Sequence, residues 1–177
     1  MKLLVLGHGR HGKDTVCEML NKNFGLTFQS SSLFAAEHVV MPYLAERGVT
    51  FPDVASCYEA RGSYRKEWHE AIAEFNAENP ARLGEMIFAQ YDIYCGLRSM
   101  LEFSAMYQRG MFDAALWVFR PQLPLESRDS MKLTPNIADL HIHNDGSLEE
   151  LEAQVKWAHE KLRRKLCVAI GGYVPAL

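Results

Sequence analysis

Apolar residues fall along this chain in two rhythms: short unbroken runs, and stripes at three- and four-residue spacing. Leu3 to Leu6 is an unbroken run that stops at Gly7, the pattern of a buried parallel strand entering a tight turn. Val16, Met19, Leu20 and Phe24 then mark one face of a helix from Thr15 to Phe24. Leu26 to Gln29 reads as a short second strand, and Leu33 to Arg47 as a helix stopped by Gly48. The spacing Tyr64, Trp68, Ile72, Phe75 predicts another helix, which Asn79-Pro80 interrupts; Pro80 suits the first turn of a further helix to about Ala89. Tyr91 to Gly96 is a third strand and Ser99 to Arg109 a helix. Ala115 to Phe119 and Ile137 to Ile142 are the last two strands. Asn144-Asp145-Gly146 is a turn, after which Ser147 and Glu150 form a capping box for a long final helix. The alternation predicts an α/β fold, a five-stranded parallel sheet with helices on both faces. Residues 120–136 break the rhythm: Pro121, Pro124 and Pro135 stand among Arg120, Arg128, Asp129 and Lys132. A stretch of that length without periodicity is a functional loop or a disordered one.

The length of 177 residues suits one domain, residues 1–177. With 48% hydrophobic and 23% charged residues, disordered, collagen-like and coiled-coil readings fall away. Lys and Arg number 19 against 22 Asp and Glu, so no basic excess exists to grip a nucleic-acid backbone, and nucleic acid is not an expected partner. Cys17, Cys57, Cys95 and Cys167 are scattered, with no CxxC pair, as suits a reducing compartment. The apolar start is too short for a signal peptide, and no window approaches the roughly 20 apolar residues of a membrane span. The expectation is a soluble cytoplasmic protein with no membrane partner.

The chemistry concentrates in Gly7-His8-Gly9-Arg10-His11-Gly12-Lys13-Asp14-Thr15, which satisfies two motifs at once. Gly7, Gly9 and Gly12 spell GxGxxG; Gly7, Gly12 and Lys13 spell GxxxxGK, with Asp14 where Ser or Thr is usual. A dinucleotide site wants an acid at the end of the second strand, and Phe28-Gln29-Ser30-Ser31-Ser32 has none. A phosphate loop wants a lysine at the mouth of the next helix, where Lys13 stands. There backbone N–H groups wrap phosphates, the helix dipole adds a favourable field, and the ammonium reaches the outer phosphates. The phosphate-loop reading is favoured over the dinucleotide site and over a merely structural glycine turn. Asp14 or Thr15 then stands near a Mg2+ ion; Asp14 equally suits the helix N-terminus through its charge alone.

GKDT after the first strand resembles the P-loop kinases of small phosphorylated acceptors, in particular bacteriophage deoxynucleoside monophosphate kinases. Further landmarks are similar in order. Tyr91 to Arg98 followed by Glu102 is similar to that family's third strand with its G-x-R segment and acid. Phe112-Asp113 through Val118 is similar to its fourth strand, and Ala138-Asp139 through Leu148 to its last strand and turn. The resemblance implies an NMP-kinase-like P-loop fold with an acceptor-binding helical insert near residues 50–90 and a lid near 120–136. It also implies transfer of the γ-phosphoryl of ATP, with Mg2+, to a (deoxy)nucleoside monophosphate. The partners are then small-molecule nucleotides, with a homodimer left open. The compartment is the cytoplasm, that of the host where a phage encodes the chain.

Such transfer is stabilised mostly by position and positive field, so arginines outside the loop are expected. Lys13 would neutralise charge moving between the phosphates. Arg98, past the third strand, is the first choice for holding the acceptor phosphate, against a salt bridge with Glu102 four residues on. Glu102 is a metal or water ligand, or a solvated helix residue. Arg61 and Arg65 are four apart; a helix through them would stack like charges that an acceptor phosphate would relieve, though Glu59, Glu67 and Glu70 are near enough to neutralise them. Arg120 and Arg128 flank the Pro-rich lid and are candidates for touching phosphate, Arg128 in a catalytic role; the alternative is a solvated surface loop. Arg10 joins His8 and His11 in the nucleotide-binding loop. Asn144 and Gly146 stand where the ATP base packs, although capping and turn formation already explain them.

Four features are assigned bland readings. His141 and His143 alternate on one strand face but lack a third metal ligand. Asp92 is early in its strand, away from the catalytic edge, and Cys95 stands where the usual strand-end acid would be. Tyr64 and Trp68 read as core, and the run Lys161, Arg163, Arg164, Lys165 as dipole complement. No general base is required, because an acceptor phosphate oxygen is already anionic. Alternatives are a dephospho-coenzyme A-like or phosphorylated isoprenoid acceptor, or a regulator that binds nucleotide without transferring phosphate.

Overall fold

A computed structural model describes residues 1–169. Five parallel strands make one sheet: β1 (Leu3–Leu6), β2 (Phe28–Ser30), β3 (Ile93–Cys95), β4 (Ala114–Phe119) and β5 (Leu140–His143), in the spatial order β2-β3-β1-β4-β5. The register sets Leu3 beside Ile93 and Ala114, and Trp117 beside His141. Side chains alternate across the pleat, so one strand feeds two cores. Leu4, Leu6, Tyr94, Ala115 and Trp117 face the first core. Leu3, Val5, Ile93, Leu116, Val118 and Ile142 face the second, which α1 (Lys13–Phe24) and α8 (Leu148–Ala169) cover with Val16, Leu20, Leu151, Val155 and Leu162.

The first core lies under the remaining helices: α2 (Ser31–Ala35), α3 (Met41–Ala45), α4 (Val54–Glu59), α5 (Arg65–Phe75), α6 (Arg82–Gln90) and α7 (Met100–Gln108). The helix expected over 33–47 is a continuous stretch from Ser31 to Ala45 with a π-helical turn at Ala36–Val40 between α2 and α3. Periodicity does not register one inserted residue of that kind, because the apolar face is only rotated. The helix expected to enter at Pro80 starts at Arg82, with Asn79 Oδ1 accepting from the Ala81 N–H. The last strand begins at Leu140 rather than Ile137. Pro135–Ile137 is a 3-10 turn, and Asp139 holds the strand entrance by accepting from the Ala115 N–H. The capping box is present: the Glu150 N–H donates to Ser147 Oγ and the Ser147 N–H to Glu150 Oε2.

The irregular stretch 120–136 is anchored rather than loose. Met131 and Leu133 are buried in the first core, 4% and 2% exposed, which ties the second half of the stretch to the face of the sheet that α2 to α7 cover. No helix of the described residues is long and apolar enough to cross a membrane.

Candidate active site

The C-terminal edge of the sheet is where a parallel α/β fold binds ligands, and β1 delivers the glycine loop to it. Gly7 has φ +138°, and a Cβ there would strike the Val118 carbonyl of β4, so only glycine lets the loop leave the sheet so close to its neighbour. Arg10 and Gly12 are also left-handed, with φ +66° and +92°. Gly12 caps α1 without any side chain, which leaves the first-turn amides of α1 for a ligand. Lys13 is buried and donates from Nζ to the His8 carbonyl at 2.7 Å. Burial lowers its pKa, with the Arg98 charge adding to the effect, while Cys95, Asp14 and Glu126 oppose it. Asn144, in the turn after β5, donates from Nδ2 to the His11 carbonyl at 3.0 Å, stapling the loop from the far strand.

An anion already sits at the loop, and it belongs to the protein. Glu126 Oε2 accepts from the Gly9 N–H at 2.6 Å, and Oε1 pairs with Arg98 Nη1 at 2.6 Å. Burial works against this carboxylate, but the Arg98 guanidinium and the Gly9 amide hold its pKa below the usual value. A carboxylate is a stand-in for a phosphate oxygen at such a cradle. Two loop histidines lash the segment down. His8 Nδ1 accepts from the Glu126 N–H and His11 Nδ1 from the Arg120 N–H, both at 3.1 Å. Burial lowers the pKa of both rings, which favours the neutral form these bonds require. A cavity of about 290 Å3 remains between Gly9, Arg10 and residues 123–126.

Beside this loop lies a larger cavity of about 510 Å3. Trp68, Ile72 and Leu83 supply its apolar wall, and Arg98, Lys132 and Asp129 its charges. Glu102 and Tyr94 also line it, and both are buried, at 4% and 2% exposure. Arg98 is common to the two sites: it pairs with Glu126 at the loop and faces the larger cavity.

Asp14 stands exposed at the start of α1, with the Cys95 thiol donating to its Oδ1 at 3.6 Å. Mg2+ takes oxygen ligands, commonly one or two carboxylates with phosphates and water, and Asp14 with the neighbouring Thr15 fits that donor set. Among the described residues no group of three or more His, Cys, Asp and Glu is placed to hold a metal.

Solved structures resemble the fold that carries this site. TT1252 from Thermus thermophilus matches with a TM-score of 0.51 at 16% identity, over 92% of this chain and 97% of that one. Shikimate kinase from Aquifex aeolicus (TM-score 0.44, 15% identity, 97% and 100% covered) and an unliganded sugar kinase from Janibacter sp. (0.42, 18%, 89% and 94%) also match. The likeness is one of fold. The chain has a five-stranded parallel α/β fold with a glycine-rich loop after its first strand. No protein-family profile matches it, and no curated protein does.

The residues singled out in the sequence are placed differently across the fold. Gly7 to Thr15 form the loop, and Arg98 and Glu102 line the larger cavity, but Arg98 pairs with Glu126 and not with Glu102. Glu102 is buried, not a solvated helix residue: it accepts from the Tyr94 hydroxyl at 2.9 Å. No single helix carries Arg61 and Arg65. The first lies in a 3-10 turn (Ala60–Gly62) and stacks on the Tyr58 ring at 3.9 Å, while the second opens α5 and donates to Ser130 Oγ. Arg120 and Arg128 are exposed; Arg120 meets the loop through its backbone. Gly146 packs against Glu150 within the capping turn. Asp92 belongs to the opposite end of its strand, accepting from Thr27 and Lys2. Trp68, expected as core, is buried there and also faces the cavity. The sequence does not mark Glu126, or the bonds by which His8 and His11 hold residues 120–126; Pro124, two residues before Glu126, is its one local signal.

Proposed function

We propose that this protein is a kinase that moves the γ-phosphoryl of Mg-ATP to a (deoxy)nucleoside monophosphate. One observation carries the reading: Arg98 is shared between a phosphate loop and a separate cavity of small-molecule size, so one cation can meet both the donor and the acceptor. The loop amides and Lys13 cradle the β- and γ-phosphates in the place now taken by Glu126. Asp14 and Thr15 would hold Mg2+, which supplies positive charge against the phosphates. The acceptor lies with its phosphate toward Arg98 and Lys132 and its ring against Trp68, Ile72 and Leu83.

An acceptor phosphate oxygen attacks the γ-phosphorus, the bond from that phosphorus to the β,γ-bridging oxygen breaks, and ADP leaves with the bridging oxygen. The oxygen is anionic at neutral pH, so no base is needed, and catalysis is a matter of alignment and field. For ATP to enter, the Glu126 carboxylate must leave the loop, after which the segment can close over the nucleotide and exclude water. The resemblance in GKDT and the later landmarks supports the nucleotide acceptor, and the shikimate and sugar kinases with a similar outline act on other acceptors by their names.

The test is ADP release from Mg-ATP with each common dNMP and NMP supplied separately. Acceptor-dependent turnover with one or a few of them is the expected result. ATP binding without acceptor-dependent release would move the protein to another phosphorylated acceptor or to a nucleotide-binding regulator.

A further inference from the structure

The larger cavity contains a group that phosphate-to-phosphate transfer does not need. Glu102 sits in the first turn of α7, whose N-cap Ser99 accepts from the Glu102 N–H. Its carboxyl is almost wholly buried, and among the described residues no Lys, Arg or His makes a salt bridge with it. Its partner is the Tyr94 phenol, itself fully buried. Burial pushes the carboxyl up to about 7, even though the Tyr94 hydroxyl and a Gly84 backbone N–H both favour the charged form. A buried carboxyl without a cation is expensive, and an amide or leucine would fill the same space at less cost. A group kept under those terms in a ligand cavity points to the ligand.

The exposures give the cavity a direction. Arg98 is 39% exposed at its side chain and Lys132 is exposed, so the cations sit at the rim; Glu102 and Tyr94 form the floor. A phosphate is attracted to the rim and repelled from the floor. A ligand that presents N–H or O–H donors to the floor holds the carboxyl in its ionised form, which only accepts.

We propose that Glu102, oriented by Tyr94, reads the base of the acceptor nucleotide by accepting hydrogen bonds from its amino and ring N–H groups. This rests on the nucleoside monophosphate reading above. Guanine, with adjacent ring N–H and amino donors, matches both carboxylate oxygens. Cytosine and adenine offer one amino group each. Thymine and uracil offer one ring N–H, flanked on both sides by carbonyls that face the carboxylate oxygens, and are disfavoured. Glu102 is then a specificity-determining residue that touches substrate, and Tyr94 is a positioning residue.

The experiment uses the full chain, with Glu102→Gln and Tyr94→Phe. ADP release is measured with dGMP, dCMP, dAMP and dTMP, and calorimetric titration with the same four and with the free deoxynucleosides. The expected result is a preference for amino-bearing bases over dTMP of at least about tenfold, as a site built around a polar partner gives. Glu102→Gln raises both KM and Kd for those bases about tenfold and leaves kcat within about twofold, with Tyr94→Phe moving the same way by less. Unchanged discrimination in Glu102→Gln, or a preference for dTMP, overturns the proposal. So does a collapse of kcat at unchanged KM, which would make Glu102 a general base for a hydroxyl acceptor. Absent turnover with Glu102-dependent nucleoside binding would sink the kinase reading alone. Absent binding in every titration would sink the recognition proposal.

Discussion

The carboxyl of Glu102 makes a stability prediction that needs no substrate. Its folded-state pKa of about 7 stands above an ordinary 4.5, so folding favours the protonated form. Below about pH 4.5 the group is neutral in both states and costs nothing. Between 4.5 and 7 the native state holds the extra proton, so stability falls as pH rises, and above 7 the whole cost of the buried charge is present. A displacement of that size corresponds to about 3 kcal/mol, most of which develops between pH 5 and pH 8. Glu102→Gln removes the charge and keeps an oxygen for the Tyr94 hydroxyl. The gap between variant and wild-type melting temperatures should therefore widen by roughly 5–10 °C from pH 5 to pH 8, in favour of the variant. Thermal unfolding followed by circular dichroism in matched buffers measures it. Melting curves that shift in parallel with pH would show that Glu102 keeps an ordinary pKa, and would remove the case for an uncompensated buried charge. The same variant, more stable and less discriminating, would show stability given up for recognition.

Three other perturbations test the loop. Glu126→Gln takes a charged competitor away from the Gly9 amide and Arg98; with Arg98 partly exposed, the effect is about 1 kcal/mol, or roughly fivefold tighter ATP binding by titration. Unaltered affinity would mean that the carboxylate does not compete with phosphate. Lys13→Ala should abolish acceptor-dependent ADP release while leaving the far-UV spectrum unchanged, and a fully active variant would end the phosphate-loop assignment. Gly12→Ala places a Cβ at a φ of +92° and against the Asn144 amide, costing about 1–3 kcal/mol in denaturant unfolding; an unaffected midpoint would show that the loop can relax without the Asn144 staple.

The sheet was legible because its information is local. Strands buried on both faces read as unbroken apolar runs, each long stripe reads as a helix, and glycines mark the exits. The element boundaries slipped where a side chain from elsewhere decides them. Asp139 fixes the entrance to β5 by bonding to β4, and Asn79 delays α6 past its proline. The stretch 120–136 shows the opposite failure. Its composition reads as a free lid, yet two ordinary apolar residues, Met131 and Leu133, bury in a core made by helices from the other half of the chain. Two isolated apolar positions have no period, so only packing reveals them.

The site divides along the same line. The motif brings Lys13 and the glycines together at the exit of β1, because a loop of that kind is written in consecutive residues. Partnerships across the fold were out of reach: Glu126 is 117 positions from Gly9, and Arg98 had a plausible partner four residues away in Glu102. Physical chemistry narrows that choice more than spacing does. A cradle of unpaired amides beside Lys13 and Arg98 attracts an anion, and residues 120–136 offer only Glu126 and Asp129. The histidines decide between them. His8 and His11 hold the backbone of Glu126 and Arg120, so the carboxylate within their span is brought to the loop, while Asp129 is left at the larger cavity. Two glycine-loop residues that read as nucleotide contacts hold residues 120–126 in this conformation, and the acid they position occupies the place the proposed chemistry assigns to phosphate.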